Sequence, residues 1–328
     1  MSHLLEIEDL RVQYATNENT YHALNGVSFS INPGEIVGLV GETGAGKTTT
    51  TLSIMGLLPK DIGFITGGTA RFNGEDLTTM SESQLRNIRG SQISMIFQDP
   101  MTSLNPVLTV GKQIGEAIEF HSQSSKAEIE ARVDEILQLV GIPPSRKREF
   151  PHQFSGGMKQ RVVIAIALAC RPKLLIADEP TSALDVTVQS QVLCMMLDLK
   201  KQLNTSMLLI THDLGVVAQM CDQVAIMYAG EIIEKGSVHD IFDKNAKLRH
   251  PYTQGLFGSL PSLQTDSRRL KPIDGLMPDP SELPDGCKFH ARCPRRLEIC
   301  EKKVPGDFLE GGHMVKCHLV RRVIFPHE

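Results

Sequence analysis

A glycine-rich segment beginning at residue 41 has the residue types and spacing of a phosphate-binding loop. The run Gly41-Glu42-Thr43-Gly44-Ala45-Gly46-Lys47-Thr48 fits the pattern G-x-x-x-x-G-K-[ST] at every fixed position. Its glycines let backbone N–H groups face the α and β phosphates of a nucleotide. Lys47 supplies positive charge to the β and γ phosphates, and the Thr48 hydroxyl is a ligand for Mg²⁺. With Thr49, these residues predict a site for a nucleoside triphosphate.

Two adjacent carboxylates follow a strongly apolar run later in the chain. Residues 174–177 are Leu-Leu-Ile-Ala, and Asp178 and Glu179 come next. A carboxylate at the end of a buried strand is costly unless a cation or ligand lies close by. We predict that Asp178 holds Mg²⁺ and that Glu179 polarises the water that attacks the γ-phosphate.

Two more polar residues follow apolar runs of strand type. Gln98 follows residues 93–97, and His212 comes after the run at 208–211. Open α/β sheets bind ligands at the carboxyl ends of their strands, so both side chains are expected in the crevice of the carboxylates. There the Gln98 amide would complete the Mg²⁺ shell or orient water.

A second anion-binding pattern lies at Phe154-Ser155-Gly156-Gly157-Met158. Ser155 is a suitable cap for a helix that the apolar run 162–169 continues. The two glycines let backbone N–H groups approach an anion at the helix start, and a phosphate is the expected ligand.

The chain around these motifs alternates between strand and helix patterns. Apolar runs at 174–177, 207–210 and 224–227 are separated by helical patterns at 186–203 and 214–220. Buried strands separated by helices predict an α/β fold with a mostly parallel sheet covered on both faces, as in P-loop NTPases.

Other parts of the chain have different patterns. Residues 4–14 and 23–31 alternate apolar and polar side chains, which predicts a small antiparallel β-subdomain. The expected organisation is a nucleotide-binding domain over residues 1–260, containing a helical subdomain at about 81–165, and a small irregular cysteine-rich extension over residues 261–328.

Composition limits the classes of partner. The 328 residues include 34 basic and 38 acidic side chains, and the net charge of −4 gives no general attraction to nucleic acid or anionic lipid. The longest apolar run, residues 162–170, is shorter than the roughly 20 residues of a membrane helix, and the N-terminus does not resemble an export signal. We expect a cytosolic chain that reaches a membrane only through other subunits.

Together these motifs resemble those of the ATP-binding cassette family. The resemblance implies that residues 41–48 are the Walker A motif, residues 154–158 the signature, and Asp178 and Glu179 the Walker B pair with its catalytic glutamate. It further implies that Gln98 is the Q-loop residue, that residues 182–185 are the D-loop, and that His212 is the switch histidine. Lys47, Gln98 and His212 then join Glu179 in catalysis.

The signature departs from the commoner Leu-Ser-Gly-Gly-Gln at both ends, with Phe154 and Met158. Its three central residues carry the phosphate chemistry, so activity is expected. In this family the signature of one subunit covers the ATP of another. The resemblance thus implies two cassettes closing head to tail, with contacts to the partner's ATP from Ser155, Gly156, Gly157, Met158 and Asp185.

The family resemblance also suggests where the base and the membrane subunits bind. Tyr14 is the expected stacking partner of adenine, with Tyr21 as the alternative. The segment 99–106, just after the Q-loop, is where family members meet the coupling helices of a membrane partner.

Four cysteines near the C-terminus, Cys287, Cys293, Cys300 and Cys317, suggest a metal site, because disulfides are rare in a reducing compartment. The spacing matches neither zinc ribbons nor common ferredoxins, so Zn²⁺ and [4Fe–4S] stay open on chemistry alone. Alternative ligands are His290, His313 and His318.

The tail also carries a resemblance. The segment His250-Pro251-Tyr252-Thr253, followed by Leu256, Leu260-Pro261 and the cysteines, is similar to the tail of ATPase subunits of dipeptide and oligopeptide importers, some of which hold a [4Fe–4S] cluster there. The resemblance thus favours a [4Fe–4S] cluster over zinc in this chain, and we expect its role to be structural. The resemblance also implies an importer ATPase at the cytoplasmic face of the membrane. Its implied partners are a second cassette, two permease subunits and an extracytoplasmic binding protein.

Two alternatives remain open from the sequence. Importers of nickel or other metal chelates share this cassette and tail, and nothing in the cassette identifies the transported substrate. A soluble cassette ATPase acting on ribosomes or DNA is the other alternative. It is disfavoured because the chain has one cassette and lacks long coiled coils.

Overall fold

Twelve strands form two sheets in the computed structural model, which describes residues 3–99, 103–182, 184–243, 246, 248–259 and 272–320. The strands are β1 Leu5–Ala15, β2 Thr20–Ile31, β3 Ile36–Val40, β4 Gly63–Phe72, β5 Glu75–Asp76, β6 Ile93–Ile96, β7 Leu174–Asp178, β8 Ser206–Ile210, β9 Gln223–Tyr228, β10 Glu231–Ser237, β11 Phe308–Glu310 and β12 His313–Val315. The helices are α1 Lys47–Ile54, α2 Glu82–Ile88, α3 Val110–His121, α4 Lys126–Leu139, α5 Gly156–Leu168, α6 Val186–Leu203, α7 Leu214–Met220, α8 Val238–Phe242, α9 Pro251–Gly258 and α10 Ile299–Lys302.

The smaller sheet is antiparallel and has the strand order β2-β1-β4-β5. Its long β1 and β2 strands confirm the antiparallel N-terminal subdomain expected from the alternation. The apolar side chains of Leu5, Ile7, Leu10 and Val12 are buried, each at most 2% exposed. This sheet covers one side of the phosphate-binding loop (residues 41–48). The end of the β1–β2 hairpin therefore lies close to that loop.

The larger sheet has the order β11-β12-β10-β9-β3-β8-β7-β6. The five strands from β9 to β6 run parallel, and β10, β12 and β11 add antiparallel pairs at one edge. Every residue of β3, β7 and β8 is buried, as expected for strands covered on both faces. The parallel strands present their carboxyl ends at one edge, where the predicted site residues follow them.

The helical region packs beside this sheet. Helix α4 begins with a capping box between Ser125 and Glu128, and it buries Val133, Ile136 and Leu137. The interval 81–165, which was expected to be a helical subdomain, also contains strand β6. This strand pairs with β7 in the main sheet. No described helix is long and apolar enough to cross a bilayer.

The extension is less irregular than expected, because β12 pairs with β10 and continues the main sheet. Strands of three residues are too short to show a period of two in the sequence. Buried Glu234 of β10 joins helix α9 and strand β12 to the main sheet. Its carboxylate accepts hydrogen bonds from the Thr253 hydroxyl at 2.6 Å and from the His250 backbone N–H at 2.8 Å. The same carboxylate lies 2.9 Å from His313 Nε2. The predicted boundary near Pro261 lies outside the described residues.

Candidate active site

The phosphate loop connects the buried strand β3 to helix α1, which begins at Lys47. Gly44 and Gly46 have φ values of 84° and 105°, in the left-handed region that glycine adopts without steric cost. A Cβ atom on Gly46 would lie 2.8 Å from the Ala23 carbonyl oxygen of β2. The backbone wrap and the close approach of β2 therefore both require glycine here.

Lys47 is buried within its own loop, with a side chain that donates to two backbone carbonyls. Its Nζ lies 2.7 Å from the Gly41 oxygen and 2.9 Å from the Glu42 oxygen. Burial lowers the pKa of the ammonium group, while the carboxylates of Glu179 and Asp178 oppose that shift. Phosphate oxygens would replace these carbonyls as better partners for a buried positive charge.

Thr48 and Asp178 bring two oxygen ligands together from different elements. The Thr48 hydroxyl, at the start of α1, donates to Asp178 Oδ2, at the end of β7, over 3.0 Å. Asp178 is 4% exposed, and burial raises the pKa of its carboxyl group. Mg²⁺ bound with nucleotide takes one or two carboxylates together with phosphate oxygens and water, so this donor pair fits that ion.

Glu179 lies between two of the three other predicted catalytic side chains, Gln98 and His212. Gln98 Nε2 donates to Glu179 Oε2 at 3.1 Å, and His212 Nδ1 lies 2.9 Å from Glu179 Oε1. These residues follow β6, β7 and β8, which are neighbours in the parallel sheet. Glu179 has a φ of 47°, in the left-handed region that is strained for a residue other than glycine, asparagine or aspartate. The Glu179 carboxylate is thus held by side chains from both neighbouring strands.

A cavity of about 830 Å³ joins these groups to the hairpin end of the small sheet. Its lining at the phosphate end comprises Thr43, Gly44, Gly46, Lys47, Thr48, Thr49, Gln98, Asp178 and Glu179. Tyr14 and Tyr21 both line the other end, and the Tyr14 hydroxyl donates to Thr49 Oγ1 over 3.3 Å. The two tyrosines are cross-strand partners, so either ring is placed to meet a base.

Three of the predicted phosphate-loop residues do not line this cavity. A Cβ atom on Gly41 would lie 2.4 Å from the Met227 carbonyl oxygen, so this glycine allows the loop to pack on β9. Ala45 is fully buried, and the Glu42 side chain turns away from the cavity toward Arg292 in the extension.

The signature residues lie at the start of α5, outside the described lining of the cavity. Ser155 caps the helix, accepting a bond from the Met158 N–H at 3.4 Å. A Cβ atom on Gly156 would meet nothing within 4 Å, whereas one on Gly157 would lie 2.4 Å from Val188 of α6. Gly156 therefore leaves open space for an anion, and Gly157 is needed for helix packing.

The two unusual signature residues pack around one arginine. Phe154 is 5% exposed, and the Arg146 guanidinium carbon lies 4.4 Å from its ring centroid. Arg146 also donates to the Met158 sulfur at 3.3 Å.

Asp185 caps α6, accepting the Val188 N–H at 3.0 Å. Ala183 of the D-loop and residues 100–102 of the segment after the Q-loop lie outside the described residues.

The four C-terminal cysteines do not form a ready-made metal site. In the part of the chain that the structure describes, no group of three or more His, Cys, Asp or Glu side chains is placed to hold a metal ion. Cys287 and Cys293 pack against the main core, while Cys317 belongs to a separate apolar cluster. Burial, with a smaller effect from the other three thiols, raises the pKa of Cys287 to about 12. The predicted [4Fe–4S] cluster, or its zinc alternative, therefore gains no support from this placement.

Several cavity residues were not predicted from the sequence. His22 and Ala23 follow Tyr21 on β2, and Ala229 and Gly230 form the turn between β9 and β10. The range 276–280 and Leu283 come from the extension. None of them carries a motif, and the weak Pro-Asp-Pro turn signal at 278–280 does not indicate a contact more than 200 residues away along the chain.

Comparison with family models agrees with this geometry. The model described as "ABC transporter" matches residues 24–182, which include the phosphate loop, the signature and both carboxylates. A second model, "Oligopeptide/dipeptide transporter, C-terminal region", matches residues 233–300. Fold and site together define an ATP-hydrolysing cassette.

Full-length relatives narrow the class. The dipeptide transport ATP-binding protein DppD of Bacillus subtilis is 49% identical over 322 residues, covering 97% of this chain and 95% of the relative. The oligopeptide transport ATP-binding protein OppD of Salmonella typhimurium is 47% identical, covering 96% and 93%. The chain belongs to the ABC transporter family, among the ATP-binding proteins of dipeptide and oligopeptide transport.

A solved structure shows the same cassette. The dimeric, post-hydrolysis state of the cassette MJ0796 with ADP and phosphate superimposes with a TM-score of 0.64 at 26% identity, covering 71% of this chain and 98% of that one.

Proposed function

We propose that this chain is the ATP-hydrolysing subunit of an importer for dipeptides or oligopeptides. The observation that carries the proposal is the placement of Glu179 between Gln98 and His212, beside the Thr48–Asp178 pair and the phosphate loop. The full-length similarity to peptide transport proteins supports the substrate class over nickel or another metal chelate. Held by two permease subunits, the chain acts at the cytoplasmic face of the membrane.

The side chains divide the work of hydrolysis. Lys47 gives up its two loop carbonyls and donates to the β and γ phosphates, which neutralises charge where it accumulates. Thr48 and Asp178 would hold Mg²⁺, which would supply positive charge to the phosphate oxygens. Glu179 orients and polarises the attacking water, and Gln98 and His212 keep its carboxylate in position.

A second cassette completes each site. Ser155 and Gly156 offer a helix start to an anion, yet the described lining of this chain's own cavity includes neither of them. Their expected ligand is therefore the γ-phosphate held by another cassette, and MJ0796, a cassette of the same fold, forms a dimer. ATP then favours the closed pair, and loss of the γ-phosphate favours reopening, because ATP binds the two states with different affinity. We propose a paralogous chain as this partner.

Uptake in cells tests the transported substrate. A strain lacking this chain should lose uptake of a labelled dipeptide or tripeptide, and a plasmid copy of the wild-type chain should restore it. Nickel accumulation should stay at the parental level. Normal peptide uptake with reduced nickel accumulation would instead establish the metal-chelate importer.

We further propose that the four C-terminal cysteines hold a [4Fe–4S] cluster, with Zn²⁺ as the alternative. One observation is compatible with the proposal: all four are free cysteines. The cluster would staple a region with few large apolar side chains.

Metal analysis tests this site. Protein purified without oxygen should be brown and contain about four iron and four sulfide per chain. The Cys287→Ser variant should lose both, while Cys194→Ser, which changes an exposed cysteine outside the set, should keep them. Colourless protein with one zinc per chain would contradict the cluster.

A further inference from the structure

The nucleotide cavity has a third wall that comes from the C-terminal extension. Besides the phosphate loop and the hairpin of β1 and β2, its lining includes residues 276–280 and Leu283. This segment, here called the wall segment (residues 276–280), lies outside the range 24–182 that matches the cassette family model. A cassette without this extension would leave that side of the cavity open.

Two contacts fasten the wall segment to the cassette. The His22 N–H, next to Tyr21 on β2, donates to the Pro280 carbonyl oxygen at 2.7 Å. Met277 Cε would lie 3.3 Å from a Cβ atom on Gly44, and Met277 packs against both large apolar clusters. The segment therefore spans from the base end of the cavity to the phosphate loop.

Arg292 joins the phosphate loop to the residues that precede the wall segment. Its Nη1 and Nη2 donate to the two carboxylate oxygens of Glu42 at 2.9 and 3.3 Å. Its Nε donates to the Asp274 carbonyl oxygen at 3.0 Å, and Nη2 donates to that of Ile273 at 3.4 Å. The Arg292 side chain is 7% exposed. A buried guanidinium with bidentate pairing fixes geometry as well as charge.

Glu42 is held from a second side. Its backbone N–H donates to the Tyr252 hydroxyl at 3.0 Å. The Tyr252 ring packs with Tyr228 and Phe289, at centroid distances of 4.7 and 5.5 Å. Glu42, at a variable position of the phosphate-loop motif, is thus held by two groups outside that motif, Tyr252 of α9 and Arg292 of the extension. Phe289 of the extension packs against the Tyr252 ring.

We propose that the wall segment contacts the adenosine part of bound ATP, and that Arg292 is a positioning residue that keeps the wall segment and the phosphate loop in register. The bond at His22 places Pro280 beside the tyrosine end of the cavity, where the base is expected. The inference rests on the proposed function, because it requires ATP in this cavity.

Binding of two probes to the full chain tests the wall. Met277→Ala should weaken MgATP binding roughly fivefold by removing apolar contact, and should weaken magnesium tripolyphosphate binding less, because that probe lacks adenosine and meets only the phosphate loop beside Met277. Arg292→Gln should weaken MgATP binding roughly tenfold, because the phosphate loop and the wall segment lose the charged pair that holds them together. Adding Glu42→Gln to Arg292→Gln should cost little more, because the two residues form one pair.

Arg296→Gln is the matched control. It makes the same change in the same extension at a side chain that is 61% exposed, and MgATP affinity should stay at the wild-type value. Two results would overturn the proposal that the wall segment contacts adenosine. One is wild-type MgATP affinity in both Met277→Ala and Arg292→Gln, and the other is an equal loss for both probes in Met277→Ala. If Arg292→Gln fails to fold, Met277→Ala decides alone. A wild-type chain that does not bind MgATP would instead refute the proposed function itself.

Discussion

The Glu179→Gln variant is expected to bind MgATP as the wild type does and to hydrolyse it about 10²–10⁴-fold more slowly, the usual contribution of a positioned general base. Glutamine keeps the size of the side chain and an oxygen that can accept from Gln98, so the site keeps its shape. It loses the negative charge and basicity that polarise water. Turnover and nucleotide affinity, measured on the same preparation, separate these two effects.

The same variant should accumulate as a closed pair of cassettes when MgATP is present. Hydrolysis normally removes the γ-phosphate that favours closure, so a chain that binds but does not hydrolyse stays closed. Size-exclusion chromatography with and without MgATP measures this change, using the partner cassette if the pair is heteromeric. Glu310→Gln, at an exposed position of β11, is the matched control and should behave as wild type. Wild-type turnover by Glu179→Gln would remove this residue from catalysis.

The catalytic edge of the site is the part that sequence predicted best. Asp178, Gln98 and His212 each end or follow a short apolar run, and parallel strands place their carboxyl ends at one edge. The strands β6, β7 and β8 are neighbours, which brings Gln98 and His212 within 3.1 and 2.9 Å of Glu179. Local pattern suffices here because each residue occupies a fixed position relative to its own strand.

The roles of individual glycines were harder to predict. Both signature glycines were expected to admit an anion, but Gly157 is constrained by Val188 of a different helix. Gly41 similarly faces the backbone of β9. Such constraints depend on which elements pack together, and a motif read along the chain does not contain that information.

Contacts between the extension and the cassette could not be predicted either. The Glu42–Arg292 pair joins residues 250 positions apart, and a single ion pair leaves no periodic pattern in either segment. The β10–β12 pairing was equally hard to predict, because a three-residue strand is stabilised by the sheet that it joins and not by its own sequence pattern. The small irregular extension was expected without its contacts, because the sequence pattern of the tail does not indicate its neighbours.

The Lys47→Ala variant is expected to lose MgATP affinity by roughly 10–100-fold, which corresponds to about 1.5–3 kcal/mol for bonds to a charged group. Lys47 is the buried cation nearest the expected phosphates, and its Nζ is already directed into the loop by the Gly41 and Glu42 carbonyls. Alanine leaves these two oxygens without their donor and adds no positive charge for the nucleotide.

Lys60→Ala is the control for Lys47→Ala, because it removes the same charge from an exposed position outside the cavity. Its MgATP affinity should equal that of the wild type, since a solvated charge at a distance is screened. Titration of both variants with a fluorescent ATP analogue, together with their thermal unfolding midpoints, distinguishes lost phosphate binding from lost stability. Unchanged affinity in a folded Lys47→Ala protein would contradict the phosphate-loop assignment, because the loop's only positively charged side chain would then contribute nothing to binding a polyanion.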